Sequence, residues 1–189
     1  MKMAQATQIP ATLDDLLKIE EKAELIGGRI VSIMPCGDAP NTVAFEIAVR
    51  IREYAKATAR GKAYTDGIGF TLSAPLPSGR LSFSPDAAYY SGSRPVNKMR
   101  FVEGIPELAV EVRSENDYSP KALREMAEKR EDYFLAGTQT VWDVDPLAET
   151  IAKYSAASPA SPTIFKRGET ADAEPALPGW RLTVNEVFE

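Results

Sequence analysis

The stretch from Glu107 to Ser114 constrains the fold of this chain more than any other. Apolar side chains alternate along it, which places Leu108, Val110 and Val112 on one side of a strand and Glu111 on the other. The segment that follows is predicted to be a helix, so Glu111 lies near the carboxyl end of a strand that leads into a helix. Ligands collect at such strand ends in open α/β sheets. Glu111 is therefore the first candidate site residue.

Around this strand the sequence predicts an α/β fold, with a twisted, mixed β-sheet flanked by helices and preceded by an N-terminal helix and a β-hairpin. Thr12, with Asp15 three residues later, is typical of a helix N-cap. Gly27 and Gly28 separate two β-prone runs, which predicts the hairpin. We expect the short helix to be a packing element.

Two longer helices are predicted from apolar residues at the helical period. The first runs from Asn41 to Arg60, with Gly61 as its stop. The second is capped by Ser119, begins with proline at its first position, and ends at Gly137. Its inner face is expected to consist of Leu123, Met126, Ala127, Arg130 and Phe134.

Three further segments are assigned from their composition. The polar connection 91–106 is either a solvated loop or a loop that faces a ligand, and its cations are Arg94, Lys98 and Arg100. The Ser-, Ala- and Pro-rich segment 155–162 is predicted to be a surface loop. Thr183 and Glu186 have the spacing of a capping box for a last short element.

The residue types exclude several classes of protein. A chain of 189 residues can form a single domain, 1–189, with its own core, and it has one cysteine and no histidine. An internal disulfide, a zinc cluster and a histidine-based triad are thereby excluded, so any catalysis must use carboxylates and amines. The net charge of -5 argues against broad attraction to a polyanion, although a local basic strip can still bind one.

The amino-terminal segment and the hydropathy bear on location. Met1 to Pro10 is expected to be mobile and lacks the basic start, apolar middle and small-residue cleavage site of a secretory signal. No apolar run approaches the length that spans a bilayer. We therefore expect a cytoplasmic protein with no membrane role.

A second carboxylate, Asp86, directly follows Pro85 at a break in a predicted strand. Two carboxylates on neighbouring strands, with a cation two residues beyond one of them, can hold a hard metal ion beside an electrostatic stabiliser. Asp86, Glu111 and Arg113 have this arrangement. They could instead form a buried structural cluster, but ionised groups are costly to bury and tend to mark sites, which favours a functional role.

The order of these motifs resembles that of the Uma-type restriction-endonuclease-like family of the PD-(D/E)XK nuclease superfamily. The resemblance extends from about Leu13 to Phe188. It rests on Glu24-Leu-Ile-Gly-Gly, Gly61-Lys-Ala-Tyr-Thr-Asp66, Pro85-Asp86, Pro106-Glu-Leu-Ala-Val-Glu-Val-Arg-Ser114, Tyr133-Phe-Leu-Ala-Gly137, Trp142-Asp-Val-Asp-Pro146 and Pro178-Gly-Trp. The implied fold is restriction-endonuclease-like.

The resemblance also implies a magnesium-dependent phosphodiesterase, with manganese as a substitute metal. Asp86 and Glu111 would then hold the metal, and Glu46 from the first long helix would assist. The alternative for Glu46 is a surface ion pair with Arg50 at the i, i+4 spacing.

The catalytic cation is open between two residues. The superfamily lysine stands two residues after the glutamate, where this chain has Arg113. Relatives also present a lysine at the head of the following helix, here Lys121. Arginine can bind a phosphate bidentately but cannot serve as a proton-shuttling base, because its pKa is too high. Lys121 could do either, or could be a solvated residue at a helix start.

The expected function is metal-dependent hydrolysis of nucleic acid, with DNA as the substrate and a homodimer as the assembly. Two other functions compete with it. One is a catalytically silent nucleic-acid-binding or regulatory protein that keeps the fold, which the absence of a lysine after Val112 favours. The other is a homo-oligomeric interaction protein in which the cluster around Glu111 only orders the end of a strand.

Overall fold

The structure is a computed structural model, and it describes residues 9–188. Most of the expected mobile start, Met1 to Pro10, lies outside the described residues. The helices are α1 (Leu13–Leu16), α2 (Asp38–Thr58) and α3 (Pro120–Ala136), with 3-10 turns at Glu115–Tyr118 and Val184–Glu186. The strands are β1 (Ala23–Ile26), β2 (Arg29–Ser32), β3 (Lys62–Thr65), β4 (Phe70–Thr71), β5 (Ser82–Phe83), β6 (Ala87–Tyr90), β7 (Val102–Glu103), β8 (Leu108–Val112), β9 (Thr140–Asp145), β10 (Thr150–Ser155), β11 (Ser158–Lys166), β12 (Thr170–Asp172) and β13 (Arg181–Thr183).

A six-stranded mixed sheet forms the centre of the fold, in the order β11-β10-β9-β8-β6-β3. Strands β8 and β9 run parallel, and the other neighbours in this sheet run antiparallel. Smaller sheets pair β1 with β2, β12 with β13, and β4 with both β5 and β7. The predicted mixed α/β architecture, with the hairpin ahead of the sheet, is confirmed.

The two long helices cover opposite faces of the central sheet. The α2 side is a core that includes Ile47 and Ile51 from the helix and Val110 from β8. The α3 side is a second core, in which Tyr133 packs with Ala109. The alternation predicted for β8 is therefore present, because its apolar residues face α2 and Glu111 shares the other face with Ala109.

The ends of α2 differ from the prediction. The helix begins at Asp38 rather than at Asn41, because Pro40 lies in the first turn, where the missing N–H of proline costs no hydrogen bond. It ends at Thr58, and the left-handed residue that caps it is Ala59, with φ of 53°, not Gly61. By contrast, the Ser119 cap and the left-handed Gly137 of α3 are confirmed.

Three segments differ in part from the sequence prediction. The polar connection 91–106 contains β7, which pairs in parallel with β4. The predicted surface loop 155–162 includes the start of β11, an edge strand, where prolines are tolerated because their ring nitrogens need no ladder partner. Thr183 makes no side-chain cap hydrogen bond, so the capping box with Glu186 is absent.

Within residues 9–188, no helix is both long enough and apolar enough to cross a membrane.

Candidate active site

An open cavity of about 860 Å³ lies beside the amino end of β6 and the carboxyl end of β8. The hairpin β1–β2 and the segment after it form one wall, and α3 forms the other, with Val31, Met34 and Met126 among the apolar side chains that line them. The floor carries eight charged side chains joined by ion pairs, which we name the floor cluster. Its members are Lys22, Glu24, Asp66, Arg80, Asp86, Glu111, Lys129 and Asp132.

Asp86 is held by the backbone of β8 on both sides of Glu111. Its own N–H donates to the carbonyl of Val110 at 3.0 Å. Its Oδ2 accepts the N–H of Val112 at 2.8 Å. Because these two contacts bracket Glu111 in the neighbouring strand, they bring the Asp86 and Glu111 carboxylates to the same cavity.

The Glu111 carboxylate is anchored by two side chains from α3. The hydroxyl of Tyr133 donates to Oε1 at 2.7 Å, and the Lys129 ammonium donates to Oε2 at 2.9 Å. Burial raises the pKa of Glu111 to about 7, and the neighbouring carboxylates of Asp86 and Glu24 add to this, while Lys129 opposes it. Each carboxylate oxygen has two lone pairs, so both oxygens can still accept another partner.

Lys129 is shared between two carboxylates, since its Nζ also lies 3.1 Å from Oε1 of Glu24. Burial alone would lower the pKa of Lys129, but the charges of Glu111 and Glu24 outweigh it and raise the pKa. The two carboxylate partners therefore favour the protonated form of Lys129.

Glu24 connects the hairpin to the rest of the floor cluster. Its Oε1 accepts the N–H of Ser84 at 2.8 Å, and Arg80 pairs with Oε2. Burial opposes ionisation of Glu24, but the charges of Lys129 and Arg80 outweigh burial and lower its pKa. Arg80 also donates to Asp132 on α3 at 2.9 Å, so the guanidinium fixes the hairpin against the helix.

Lys22 occupies the side of Asp86 that Val112 leaves open. Its Nζ lies 3.2 Å from Oδ1 of Asp86 and also pairs with Asp66. Burial alone would lower the pKa of Lys22, but the Asp86 and Asp66 carboxylates outweigh it and raise the pKa. Every carboxylate of the floor cluster therefore has a cationic partner.

The charge balance of the floor cluster fits a divalent metal ion. Three cations face five carboxylates, so two negative charges remain when the carboxylates are ionised. Carboxylate oxygens are the protein ligands that Mg²⁺ takes, and one or two of them suffice, since the ion keeps several waters. In the described part of the chain, no group of three or more carboxylate, cysteine or histidine side chains is arranged to hold a metal ion. The donors that fit are thus Asp86 and Glu111 as a pair.

Arg113 does not reach the cavity. Its Nε and Nη2 donate to the two oxygens of Asp143 at 2.8 and 2.9 Å, and its Nη1 donates to Asp145 at 3.2 Å. The hydrogen bond to Asp143 raises the pKa of Arg113, so the bidentate pair is held firmly. The guanidinium therefore pairs with carboxylates of the neighbouring strand β9 and does not line the cavity.

Lys121 and Glu46 are also not brought to the cavity. The Lys121 side chain is 79% exposed at the start of α3 and pairs with Glu125 at 3.4 Å. Glu46 lies on α2, on the other face of the sheet, and pairs with Arg50 at 2.9 Å. The i, i+4 alternative for Glu46 is therefore present. The structure brings together Asp86 and Glu111 alone among the five predicted site residues.

Sequence reasoning missed Lys129, Lys22 and Tyr133. The predicted inner face of α3 included Leu123 and Phe134 and left out Lys129. In the structure Leu123 is 40% exposed and Tyr133 is fully buried, so the inner face differs from the predicted one. A signal did exist, since Met126, Lys129 and Tyr133 share one helical face at spacings of three and four. Nothing in the local sequence around Lys22 indicated its role.

A search of solved structures found chains with this fold. One of them belongs to a crystal structure described as "a putative nuclease belonging to DUF820" from Anabaena variabilis ATCC 29413. It matches with a TM-score of 0.73 and 20% sequence identity, over 95% of this chain and 98% of that chain. No curated protein matches the sequence. At this identity the structural match establishes the fold alone.

The sequence itself matches a family model. The match covers residues 11–185, and the model is Uma2, described as "Putative restriction endonuclease". It includes both site carboxylates, the hairpin and α3. Because the match spans nearly all of the described residues, the chain belongs to the Uma2 family of restriction-endonuclease-like proteins.

Proposed function

We propose that this protein is a magnesium-dependent endonuclease that hydrolyses phosphodiester bonds in DNA. The observation that carries the proposal is the pair of carboxylates, Asp86 and Glu111, in one cavity with the Lys129 ammonium 2.9 Å from Glu111. Family membership supports a nuclease and a nucleic-acid substrate. The metal and the choice of DNA are parts of the proposal.

Asp86 and Glu111 would hold the metal ion. When bound, Mg²⁺ supplies Lewis-acid polarisation of a phosphoryl oxygen and activates water as the nucleophile. Asp86 is kept in place by two backbone contacts to β8, and Glu111 by Tyr133 and Lys129. Preorganised ligands of this kind need no rearrangement when the substrate arrives.

Lys129 supplies the cation that neither Arg113 nor Lys121 can bring to the site. The side chain is only 18% exposed, and its charge faces the same cavity as the two carboxylates. A protonated ammonium there offsets negative charge that develops on the phosphate during attack. Glu24 is a positioning residue, because it pairs with Lys129 as Glu111 does and is itself held by Arg80.

The experiment is a cleavage assay with supercoiled plasmid and purified protein in Mg²⁺ or Mn²⁺. We expect nicking that chelation abolishes, and a loss of more than about 100-fold in Glu111→Gln. Glu125→Gln is the matched control, since it removes an exposed carboxylate from the rim of the same cavity. It should stay within about twofold of the wild type, because its charge is screened by solvent.

The competing function is a silent relative that binds nucleic acid. The arginine that replaces the superfamily lysine, and its engagement by Asp143, favour that function. Two results together would establish the competing function. The wild type would cleave no single- or double-stranded DNA or RNA with either metal, and Glu111→Gln would bind metal and nucleic acid as the wild type does. The expected homodimer stays a prediction, which sedimentation equilibrium of the purified protein tests.

A further inference from the structure

The ammonium of Lys22 lies where it neutralises a carboxylate assigned to the metal. Its Nζ is 3.2 Å from Oδ1 of Asp86, and it also pairs with Asp66. The other oxygen of Asp86 is already engaged by the N–H of Val112. A metal ion that binds Asp86 through Oδ1 must therefore share or take over the oxygen that Lys22 holds.

The backbone of Lys22 is held by the hairpin, so only its side chain can change position. Its carbonyl accepts the N–H of Ile33 at 2.8 Å, which extends the pairing of the hairpin by one step. The ammonium is therefore free to move only by rotation of its own four-carbon chain, which is flexible.

Asp66 provides a second place for that ammonium. Its side chain is 40% exposed, against 24% for Asp86, so it lies closer to solvent. Its Oδ1 also accepts the N–H of Gly67 at 2.9 Å, which keeps the carboxylate in place without Lys22. An ammonium that leaves Asp86 thus keeps a partner instead of becoming a buried, unpaired charge.

We infer that Lys22 is a displaceable internal counter-ion of Asp86, which a divalent cation replaces while Asp66 retains the released ammonium. The inference rests on the proposed function, since it takes Asp86 as a metal ligand. It makes Lys22 a residue that determines both the affinity and the selectivity of the site. A divalent ion gains from the exchange because it brings an additional positive charge to a cluster that holds two uncompensated negative charges when its carboxylates are ionised. A monovalent ion replaces one unit charge by another and gains nothing.

The test is titration of Mn²⁺ into metal-free protein by isothermal calorimetry, at 0.05 M and at 0.5 M KCl. We expect Lys22→Met to bind Mn²⁺ about tenfold or more tightly than the wild type, because the metal no longer competes with a resident cation. Lys18→Met is the matched control, since it removes the same charge from an exposed pair with Asp15. It should stay within twofold.

The salt comparison separates direct competition from a general charge effect. The Debye length falls to a few ångströms at such ionic strength, so long-range repulsion between Lys22 and the metal is screened while competition for one oxygen is not. The gain in Lys22→Met should therefore persist at 0.5 M KCl. Lys22→Gln, which keeps a polar end in the cavity, serves if the methionine variant fails to fold, and circular dichroism reports folding.

Three results would overturn the inference. If the wild type binds Mn²⁺ and both Lys22 variants bind it equally or more weakly, Lys22 is not a competitor, and the proposed function stands. The same holds if the gain vanishes at 0.5 M KCl, because the effect is then long-range. If the wild type and both Lys22 variants bind no Mn²⁺ at either salt concentration, the inference and the metal dependence of the proposed function both fail.

Discussion

Two ionic clusters lie side by side on the α3 face of β8 and differ in charge balance. Around Arg113, two carboxylates, Asp143 and Asp145, face two guanidiniums, because Arg130 also lies 3.7 Å from Asp143. We name these four residues the arginine cluster. Around Glu111, the floor cluster has five carboxylates against three cations and opens into the cavity.

The arginine cluster is electrically neutral, whereas the floor cluster is negative when its carboxylates are ionised. Arg113 makes a bidentate pair with a 4% exposed carboxylate, and Asp145 also accepts the hydroxyl of Tyr118 at 2.9 Å. The floor cluster has the same kinds of residues, yet it keeps a net negative charge that a cation can compensate. Net charge and access to the cavity separate the proposed metal site from the structural ion cluster, although the motif position alone would have favoured Arg113.

The largest expected effect tests which of two cations, Lys129 or Arg113, serves the cleavage reaction. Lys129→Met should lower the cleavage rate about 100-fold, since it removes one preorganised positive group from the reacting phosphate. Arg113→Lys should leave the rate within about threefold, because the Arg113 side chain pairs with Asp143 and Asp145 and does not line the cavity. Initial rates on plasmid DNA measure both, with thermal melts to confirm folding. An increased rate in Arg113→Lys would return the catalytic role to position 113.

The arginine cluster should matter for stability instead. Asp143→Ala leaves Arg113 without its bidentate partner in a largely buried place, and it should lower the free energy of unfolding by about 3 kcal/mol. Lys121→Met removes a 79% exposed charge and should change it by less than about 0.5 kcal/mol. Urea denaturation measures both values. Equal effects for the two variants would show that the arginine cluster contributes no more than a surface pair.

The floor cluster should make stability depend on acid pH through Glu24. Its folded-state pKa is lowered from the ordinary value of 4.5, so its ionisation stabilises the protein above pH 4.5. This contribution is lost as the pH falls through the lower folded-state pKa. Glu24→Gln should flatten the fall in unfolding free energy below pH 5 by up to about 1.4 kcal/mol per pH unit. Urea melts between pH 3 and pH 6 test this, and parallel curves for the two proteins would contradict it.

The smallest expected effect concerns the basic connection outside both clusters. If Arg94, Lys98 and Arg100 contact nucleic acid, Lys98→Gln should reduce the slope of log binding constant against log salt by about 0.9. Lys166→Gln on the edge strand β11 is the control and should leave the slope unchanged. Fluorescence anisotropy of a labelled duplex in Ca²⁺ measures the slopes. An unchanged slope in Lys98→Gln identifies this connection as solvated surface.

The predictable part of the structure was the part governed by local patterns. The hairpin at Gly27 and Gly28, the Thr12 cap and the Ser119 cap were predicted from the sequence, since turns and caps depend on a few adjacent residues. The strand β11 was missed because its pairing with β10 is a tertiary contact that its Ser- and Pro-rich composition does not indicate. The same is true of β7, which pairs with a strand far away in the chain.

The candidate site was also predictable only in part. The sequence by itself determined the face of β8 from which Glu111 projects, because a period of two suffices to place it, and it named Asp86 as the second carboxylate. Only the tertiary structure decided which cations meet them. Lys129 reaches Glu111 through the docking of α3 on the sheet, and Lys22 reaches Asp86 through the position of the hairpin. Ion pairs between distant segments depend on how those segments pack, and packing buries whole faces of helices and sheets that no short motif specifies.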